Sequence, residues 1–418
     1  MIIETHGKDS TIISEHSSRT SQEDPFSLAS ELLEPLLPID PDCRDLPFTG
    51  GLLGYFGYDL GRRLIDIPST ASSVTELPDM RIGRFLWALI VNHDLKKSHI
   101  IFHQNCSDEL RADIINRLTA SSTKTSADPK SLFKLNQAFI PTLTRSKYAE
   151  AVGKIKDYIT SGDCYQTNFT QHFSTSYKGD PWQAYLALRE ALPSPFSAYW
   201  KWQDQAVLCM SPERFLKVSN SPSSDRLLAE TKPIKGTVPR GKSTLEDQAS
   251  ATALLNSAKN RAENLMIVDL LRNDLSKNCI PGSVKVPQLF AIESFANVHH
   301  LVSTVTGDLS DSSSPIDLLR DSFPGGSITG APKRRAMEII EQLEPVRRSV
   351  YCGSIGYVSA NNKMDTNIAI RTILASKAIM HCWGGGGIVA DSEAESEFEE
   401  SMDKIKLLLK TLEDFTGA

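Results

Sequence analysis

The feature that most constrains the fold is a run of strand-like segments near the C-terminus. YCGSIGYVS (351–359), TNIAIRTILAS (366–376) and AIMHCWGGGGIVA (378–390) follow one another with only short turns between them. Strands in direct succession pair antiparallel, whereas parallel strands need a long crossover connection. Helical segments are interspersed among further strand-like segments upstream. We therefore expect an α+β chain with a large antiparallel sheet rather than a doubly wound fold.

The composition indicates a globular protein and argues against a nucleic-acid-binding or membrane-spanning chain. The 418 residues are 40% hydrophobic and 23% charged, and 45 Lys and Arg face 51 Asp and Glu for a net charge of −6. A nucleic-acid-binding surface would need a basic excess. No apolar stretch reaches the length of about 18 residues that a membrane span requires. The N-terminal sequence MIIETHGKDSTIISEH lacks a basic start and an apolar run, so we expect no targeting peptide.

The cysteines favour a reduced, cytoplasmic protein. The seven cysteines are odd in number and widely spaced, and no CxxC pair occurs. This pattern fits neither a disulfide framework nor a zinc site. A polar stretch, TASSTKTSADPK (119–130), has the composition of a linker. We therefore divide the chain into a smaller N-terminal region, 1–125, and a larger region, 126–418, that holds the candidate chemistry.

Two predicted helices carry carboxylates beside apolar stripes. The last helix, 393–413, has its stripe at Phe398, Met402, Ile405, Leu409 and Leu412. Glu397, Glu400 and Lys404 lie on one flank of that stripe. An acidic first turn that interacts favourably with the helix dipole would explain the same pattern.

The long predicted helix 245–276 has the same character, because Glu263 shares a face with Ile267 and Leu270. A carboxylate aligned with an apolar face must be paired, hydrogen-bonded or bound to a metal. Two carboxylates from different helices, with a substrate carboxylate and water, are typical of a Mg²⁺ site. A salt bridge to Lys or Arg is the alternative that the sequence leaves open.

One lysine is a further candidate for a catalytic residue, and three apparent motifs are incomplete. Lys235 in TKPIKGTVPRG has apolar neighbours that could lower its pKa and make it a nucleophile, although a surface lysine would look the same. The Gly325–Gly330 spacing lacks the Lys-Ser/Thr of a phosphate-binding loop. A GxGxxA run at 385–390 precedes an acidic helix start that would repel a pyrophosphate. No cysteine lies in a GxCxG turn, so the chain has no glutaminase signature of its own.

Taken together, the motifs resemble the chorismate-utilising enzymes, which include anthranilate synthase, aminodeoxychorismate synthase, isochorismate synthase and salicylate synthase. The resemblance covers about residues 46–413 and rests on long motifs in a fixed order. They are SGDCYQTNFTQ (161–171), SPERF (211–215), TKPIKGTVPRG (231–241), RAENLMIVDLLRNDL (261–275), FPGGSITGAPKRRAMEII (323–340) and GGGIVADSEAESEFEESMDK (385–404).

Two positions distinguish the branches of the family. Isochorismate and salicylate synthases carry a lysine that activates water at the position of Gln166, so Gln166 implies an ammonia-using enzyme. Anthranilate synthases read PIAGT where this chain reads PIKGT, and a lysine at Lys235 is typical of the aminodeoxychorismate synthases. The chain therefore resembles that branch, with anthranilate synthase component I as the alternative and a non-catalytic, chorismate-binding regulator as a third hypothesis.

The resemblance also implies a fold, a site and a partner. The expected fold is two large antiparallel β-sheets packed as a sandwich, with helices outside. Glu213 is implied as the general acid, Lys235 as a covalent nucleophile, and Glu263 and Glu400 as Mg²⁺ ligands, with Glu397 acting through water. The implied substrate-binding residues are Arg371, Lys404, Tyr351, Thr329, His300, Gly385, Gly386 and Gly387. Ammonia is expected from a glutamine amidotransferase subunit, and the product is expected to be 4-amino-4-deoxychorismate, on the 4-aminobenzoate branch of folate synthesis.

Overall fold

The computed structural model describes residues 1–36, 43, 45–120, 133–222, 224–295 and 298–416. The predicted boundary between 125 and 126 and most of the predicted linker lie outside these residues, so the division into two regions stays a prediction. None of the described helices is long and apolar enough to cross a lipid bilayer. All seven cysteines are free, and all but Cys43 are buried.

The helices begin at capping residues that the sequence supplies. Asp24, Ser107, Thr144, Asp180 and Ser314, for example, each accept a hydrogen bond from the first turn of the helix that follows. The helices of the described part are α1 (Pro25–Leu33), α2 (Asp108–Thr119), α3 (Arg145–Thr160), α4 (Pro181–Ala191), α5 (Thr244–Asn256), α6 (Ala258–Ser276), α7 (Pro315–Ser322), α8 (Lys333–Leu343) and α9 (Ala394–Glu413).

The strands form two large sheets and one separate hairpin. Those of the larger sheet are β1 (Ile2–His6), β2 (Asp9–Ile13), β3 (Ser18–Ser21), β4 (Gly51–Phe56), β5 (Met80–Phe85), β13 (Arg214–Asn220), β14 (Leu227–Thr231), β15 (Ile234–Pro239), β16 (Lys285–Ser294), β17 (Val298–Asp308), β19 (Ser354–Ser359) and β20 (Met364–Asn367). Those of the smaller sheet are β8 (Lys134–Leu135), β9 (Ile140–Pro141), β10 (Gln166–Lys178), β11 (Phe196–Trp202), β12 (Gln205–Ser211), β18 (Gly330–Ala331), β21 (Thr372–Ser376) and β22 (Ile379–Ile388). The hairpin is β6 (Trp87–Asn92) with β7 (Lys97–Phe102).

Both sheets are antiparallel, as the sequence predicts. The larger one has the order β15-β17-β14-β13-β20-β19-β4-β5-β1-β2-β3, with β16 also on β17. The smaller one has the order β11-β12-β21-β22-β10-β18, with β8 and β9 also on β10. Every pair of strands in the described part runs antiparallel. Strands from before and after the predicted linker lie in the same larger sheet.

The main core lies between the two sheets. Leu52 and Tyr55 of β4 belong to one cluster of buried side chains with Val207 and Cys209 of β12, which is in the other sheet. The alternate residues of β12 belong to a second cluster, formed with helices α4 and α9 on the opposite face of the smaller sheet. Because side chains alternate across a strand, β12 contributes to both clusters. The predicted sandwich with helices outside is confirmed.

One predicted helix is two helices in the structure. The segment predicted as a single helix over 245–276 is interrupted at Ser257, where the backbone leaves the helical region (φ −66°, ψ 110°). The hydroxyl of Ser257 accepts a hydrogen bond from the amide of Asn260 and caps α6. A serine whose side chain competes for backbone amides favours such an interruption. The break separates α5 from α6, the helix that carries Glu263.

Candidate active site

A cavity of about 720 Å³ lies where β15, β22, α6 and α9 meet. It brings together all the predicted site residues except Thr329. The predicted residues that line it are Glu213, Lys235, Glu263, His300, Tyr351, Arg371, Gly385, Gly386, Gly387, Glu397, Glu400 and Lys404. Thr329 is fully buried outside the lining, and its hydroxyl donates to the carbonyl of Gly325 at 3.0 Å.

Glu213 is a buried carboxyl in the short turn between β12 and β13. Its Oε1 accepts a hydrogen bond from the hydroxyl of Ser327 at 3.0 Å. Burial raises the pKa of Glu213 to about 7, although the Ser327 hydrogen bond and the charges of Lys235, Lys404 and Arg371 act in the other direction. A carboxyl with a pKa near neutrality can hold a proton and donate it, as a general acid must.

Lys235 is directed into the cavity by an irregularity in its strand. The pairing of β15 with β17 shifts register between Ile234 and Thr237, on either side of Lys235. The next residue, Gly236, has a φ of 86°, and a Cβ there would lie 2.7 Å from Leu254. Such irregularities redirect side chains and are common beside active sites. Burial lowers the pKa of Lys235, with Lys404 adding to the effect and Glu263 and Glu213 opposing it.

Arg371 is a cation whose side chain pairs with none of the residues that the structure describes. It follows β20 with a φ of 51°, and its guanidinium makes no hydrogen bond or ion pair within the described part of the chain. Burial lowers its pKa, against the charge of Glu213, but an arginine stays protonated at neutral pH. A half-buried guanidinium with free donors is suited to gripping a carboxylate through two hydrogen bonds.

Two uncharged side chains complete the walls around the lysine and the arginine. His300 on β17 shares a 2.8 Å hydrogen bond with Thr237 through Nδ1. Burial, with a contribution from Arg371, lowers the pKa of His300 to about 4, so the ring is neutral at pH 7. Tyr351 stacks on Trp383 with ring centroids 6.0 Å apart. Burial raises the pKa of Tyr351 well above its usual value, so the phenol is also neutral.

The glycine run of β22 is required by close packing and leaves backbone open to a ligand. A Cβ on Gly387 would lie 2.4 Å from Nε2 of Gln166. A Cβ on Gly385 would lie 2.3 Å from the backbone carbonyl oxygen of Phe169, and one on Gly386 would lie 3.2 Å from the amine of Lys404. β22 pairs with β21 only as far as Cys382, so in the described part the strand beyond it is unpaired on that side. The carbonyl of Gly385 accepts a hydrogen bond from the amine of Lys404 at 3.0 Å, and backbone amides that stay free there can bind an anion.

Carboxylates from α6 and α9 face the same cavity, with lysines between them. The amine of Lys259 lies 4.0 Å from Oε1 of Glu263 and 3.8 Å from Oε1 of Glu397. Lys404 lies 2.8 Å from Oε1 of Glu400, and its charge keeps the pKa of that carboxyl low despite partial burial. Burial raises the pKa of Glu263, although the charges of Lys235 and Lys259 oppose the rise more strongly than those of Glu400 and Glu397 add to it.

These carboxylates fit a magnesium ion that keeps water and substrate ligands. No three His, Cys, Asp or Glu side chains in the described ranges are grouped as a ready-made metal cage. Mg²⁺ rarely uses such a cage and commonly takes one or two protein carboxylates together with substrate oxygens and water. Glu263 on α6 and Glu400 on α9 are two such carboxylates in the cavity lining. Glu397 is 3% exposed, and its Oε1 accepts from Ser392 at 2.7 Å.

Several lining residues are absent from the sequence-based prediction. Lys259, Ser327 and Asn168 are polar, and Trp383 supplies an aromatic wall. Lys259 could have been noticed, because it lies one turn before Glu263 on the same helix face. Ser327 carries no sequence signal beyond its place in a glycine-rich turn, and its role depends on a contact with a residue 114 positions away.

Comparison with known proteins identifies the family. The sequence profile of the chorismate binding enzymes matches residues 3–410. The chain is 47% identical over 411 residues to "Aminodeoxychorismate synthase component 1" of Salmonella typhimurium (strain LT2), covering 98% of this chain and 87% of that protein. It is 35% identical to "Anthranilate synthase component 1" of Synechocystis, covering 98% of this chain and 85% of that protein.

A solved structure supports the same assignment. The crystal structure of anthranilate synthase component I from Streptococcus pneumoniae TIGR4 superposes with a TM-score of 0.82 at 30% identity, covering 98% of this chain and 92% of that one. The resemblance drawn from the motifs is confirmed across nearly the whole sequence. This chain is a member of the chorismate binding enzyme family.

Proposed function

We propose that this chain converts chorismate and ammonia to 4-amino-4-deoxychorismate, as component I of an aminodeoxychorismate synthase. The observation that carries the proposal is Lys235, a lysine with a lowered pKa that shares one cavity with the buried acid Glu213. The relatives in the range of 45–47% identity that bear the aminodeoxychorismate synthase name support the same activity.

The first half of the reaction uses the lysine and the acid. The neutral amine of Lys235 attacks ring carbon 2, both conjugated double bonds of the ring move by one position, and the bond from carbon 4 to its hydroxyl breaks. Glu213 gives its proton to that hydroxyl, so the leaving group departs as water rather than as hydroxide. The lysine nitrogen then loses a proton and stays bound to carbon 2 as a secondary amine.

In the second half of the reaction, ammonia adds to the ring and the lysine nitrogen leaves it. Ammonia attacks carbon 4, both double bonds move back to their original positions, and the bond from carbon 2 to the nitrogen of Lys235 breaks. The lysine leaves with a proton and is regenerated, while the new amine at carbon 4 loses one. Because carbon 2 is occupied by the lysine, ammonia is directed to carbon 4.

The remaining residues bind the two carboxylates of the substrate. Arg371 and Lys404 provide cations, and the open backbone of Gly385 to Gly387 provides amide donors. Glu263 and Glu400, with Glu397 acting through water, would hold Mg²⁺, which on binding the ring carboxylate stabilises the negative charge that develops there. The neutral ring of His300 packs beside the substrate ring.

The ammonia comes from a separate glutamine amidotransferase subunit. The relatives are named as component 1 of their enzymes, which implies a second component. The sequence has no cysteine in the turn that a glutaminase of that type uses for its nucleophile. The resulting pathway position is the 4-aminobenzoate branch of folate synthesis in the cytoplasm.

Product identification tests the proposal against anthranilate formation. The chain is incubated with chorismate, Mg²⁺ and ammonium, and the product is identified by mass and by its conversion with aminodeoxychorismate lyase. We expect 4-amino-4-deoxychorismate from the wild type and very little from Lys235→Ala. Lys232→Ala is the matched control, because Lys232 lies three residues earlier and pairs with Glu293. Fluorescent anthranilate as the main product would instead support the anthranilate synthase alternative.

A further inference from the structure

Ser327 makes the hydrogen bond to Glu213 from a turn that is held in place on both sides. Asn168 donates to the backbone carbonyl of Ser327 at 2.8 Å, and Arg348 donates to the carbonyl of Ile328 at 2.9 Å. Gln166 in turn donates to Oδ1 of Asn168 at 3.2 Å. The serine itself is 9% exposed. Its hydroxyl therefore has a fixed position relative to the carboxyl.

The two oxygens of Glu213 are not equivalent. Oε1 accepts the Ser327 hydrogen bond at 3.0 Å, whereas Oε2 takes part in no hydrogen bond with the described residues. Both side chains line the cavity. A carboxyl can carry its proton on either oxygen, and a donor that occupies one of them leaves the proton to the other.

We propose that Ser327 is a positioning residue that occupies Oε1 of Glu213 and so keeps the acidic proton on Oε2, which faces the leaving hydroxyl of the bound substrate. This inference rests on the proposed function, because it takes Glu213 to be the general acid. In the reaction the proton passes from Oε2 to the hydroxyl at carbon 4, and the carbon–oxygen bond breaks to release water. The Glu213 carboxylate that remains keeps the Ser327 hydrogen bond.

If Ser327 accepted a hydrogen bond from Glu213 instead of donating one, the pKa of Glu213 would change in the opposite direction. If Glu213 carried its proton on Oε1 and donated it to Ser327, the hydrogen bond would stabilise the neutral acid. A donor hydroxyl stabilises the carboxylate instead and lowers the pKa. Removing the hydroxyl should then raise the pKa of Glu213 if Ser327 donates and lower it if Ser327 accepts.

The other charged groups around Glu213 stay in place when Ser327 is changed. Lys235 on β15, Arg371 before β21 and Lys404 on α9 all lower the pKa of Glu213. The thiol of Cys352, before β19, also interacts with this carboxyl. None of these groups hydrogen-bonds to Ser327. A change in the pKa of Glu213 in the Ser327 variants is therefore caused by the loss of the serine hydroxyl.

Infrared difference spectroscopy on the intact chain measures this pKa directly. The carbonyl stretch of protonated Glu213 is identified by subtracting the spectrum of Glu213→Gln and is followed as a function of pH. We expect Ser327→Ala to raise the pKa by roughly one pH unit, the effect of losing a hydrogen bond to a charged acceptor. Ser327→Cys, with a weak thiol donor, should raise it less, and Ser327→Thr should restore the wild-type value.

Ser322→Ala provides the matched control for loss of a buried serine hydroxyl. Ser322 is fully buried on α7, and its hydroxyl has no hydrogen-bond partner among the residues that the structure describes, so the pKa of Glu213 should not move. An unchanged or lowered pKa in Ser327→Ala and Ser327→Cys would overturn the inference. Far-ultraviolet circular dichroism establishes that each variant is folded, and Ser327→Cys carries the test if the alanine variant is not.

Kinetics supply the second readout. Ser327→Ala should lower kcat at least tenfold and leave the Kd for chorismate unchanged, because the serine acts on the acid and not on substrate binding. A weakened Kd with an unchanged kcat would overturn the positioning role. The infrared titration needs no turnover, so failure of this inference and failure of the proposed amination appear as separate results.

Discussion

The amine of Lys259 on α6 lies 3.8 Å from Oε1 of Glu397 on α9. It therefore places a positive charge among the carboxylates that would hold Mg²⁺. Two cations compete for the same carboxylates, so a metal ion that binds there must displace or repel this amine. Lys259 is 58% exposed and can move into solvent when the metal binds.

Replacing Lys259 by methionine should therefore strengthen Mg²⁺ binding. The expected gain is about twofold to fivefold in Kd, since an ion pair made by an exposed lysine contributes roughly 0.4 to 1 kcal/mol. Isothermal titration of Mg²⁺ into the chorismate-bound chain measures it. Lys154→Met is the control, because Lys154 forms a similar pair with Glu150 on α3, away from the cavity. Weaker Mg²⁺ binding in Lys259→Met would show that the lysine supports the metal site.

The charge-removing variants Glu263→Gln and Glu400→Gln should abolish Mg²⁺-dependent turnover. Each keeps the shape of the side chain but removes a negative charge that a hard cation needs. We expect a loss of at least about a hundredfold in kcat/KM, the effect of removing electrostatic stabilisation worth about 3 kcal/mol. The thermal unfolding midpoint should change little, because neither carboxylate is fully buried.

Glu399→Gln is the matched control for these two variants. Glu399 lies on α9, next to Glu400, but pairs with Arg145 at the surface. Its activity and its dependence on Mg²⁺ concentration should equal those of the wild type. Unchanged Mg²⁺ dependence in both cavity variants would remove Glu263 and Glu400 from the metal site.

Burial of Glu213 should make the chain less stable at high pH. The folded-state pKa is raised to about 7, above the ordinary value for a glutamate. The favourable contribution of the neutral acid is complete below the unfolded-state pKa and is lost as the pH rises to 7. Glu213→Gln has no acidic group to titrate there. The free energy of unfolding of the variant minus that of the wild type should therefore be about 2 kcal/mol larger at pH 8.5 than at pH 5.5. Urea unfolding of both proteins at the two pH values measures the change, and a constant difference would contradict the raised pKa.

The sequence predicts which helix faces line the site better than it predicts the contacts between side chains from different elements. The stripe on α9 is correct at Ile405, Leu409 and Leu412, because a helix face depends on local spacing. Phe398 and Met402 are only partly buried, and Leu408 joins the buried face instead. How much of each side chain is covered depends on the strand beneath, which the helix sequence alone cannot reveal.

The features that the sequence does not predict depend on contacts between residues far apart in the chain. Ser327 meets Glu213 across 114 residues, and Gly387 packs against Gln166 in the paired strand β10. The sandwich itself was expected from the family resemblance and not from periodicity, because alternating strands do not specify which sheet they join. The break at Ser257 is a single-residue event that helix periodicity over 245–276 does not detect.

The last prediction concerns Lys235 as a covalent nucleophile. Its amine must be neutral to attack, and burial together with the charge of Lys404 lowers its pKa, against the charges of Glu263 and Glu213. If it attacks carbon 2, chorismate and Mg²⁺ without ammonia should leave an adduct on the peptide that contains Lys235. Intact-mass analysis should show a gain equal to chorismate minus water, and adding ammonium should discharge it as product.

Lys235→Ala should form no adduct and should lose most of its activity, with direct attack by ammonia as the only remaining route. The alternative is that Lys235 only pairs with a substrate carboxylate. In that case Lys235→Ala would raise KM but leave kcat largely intact, since a binding contact that is equal in the ground state and the transition state does not change kcat. Absence of the adduct in the wild type, together with a normal kcat in Lys235→Ala, would exclude the covalent mechanism while leaving the amination of chorismate to be judged by its product.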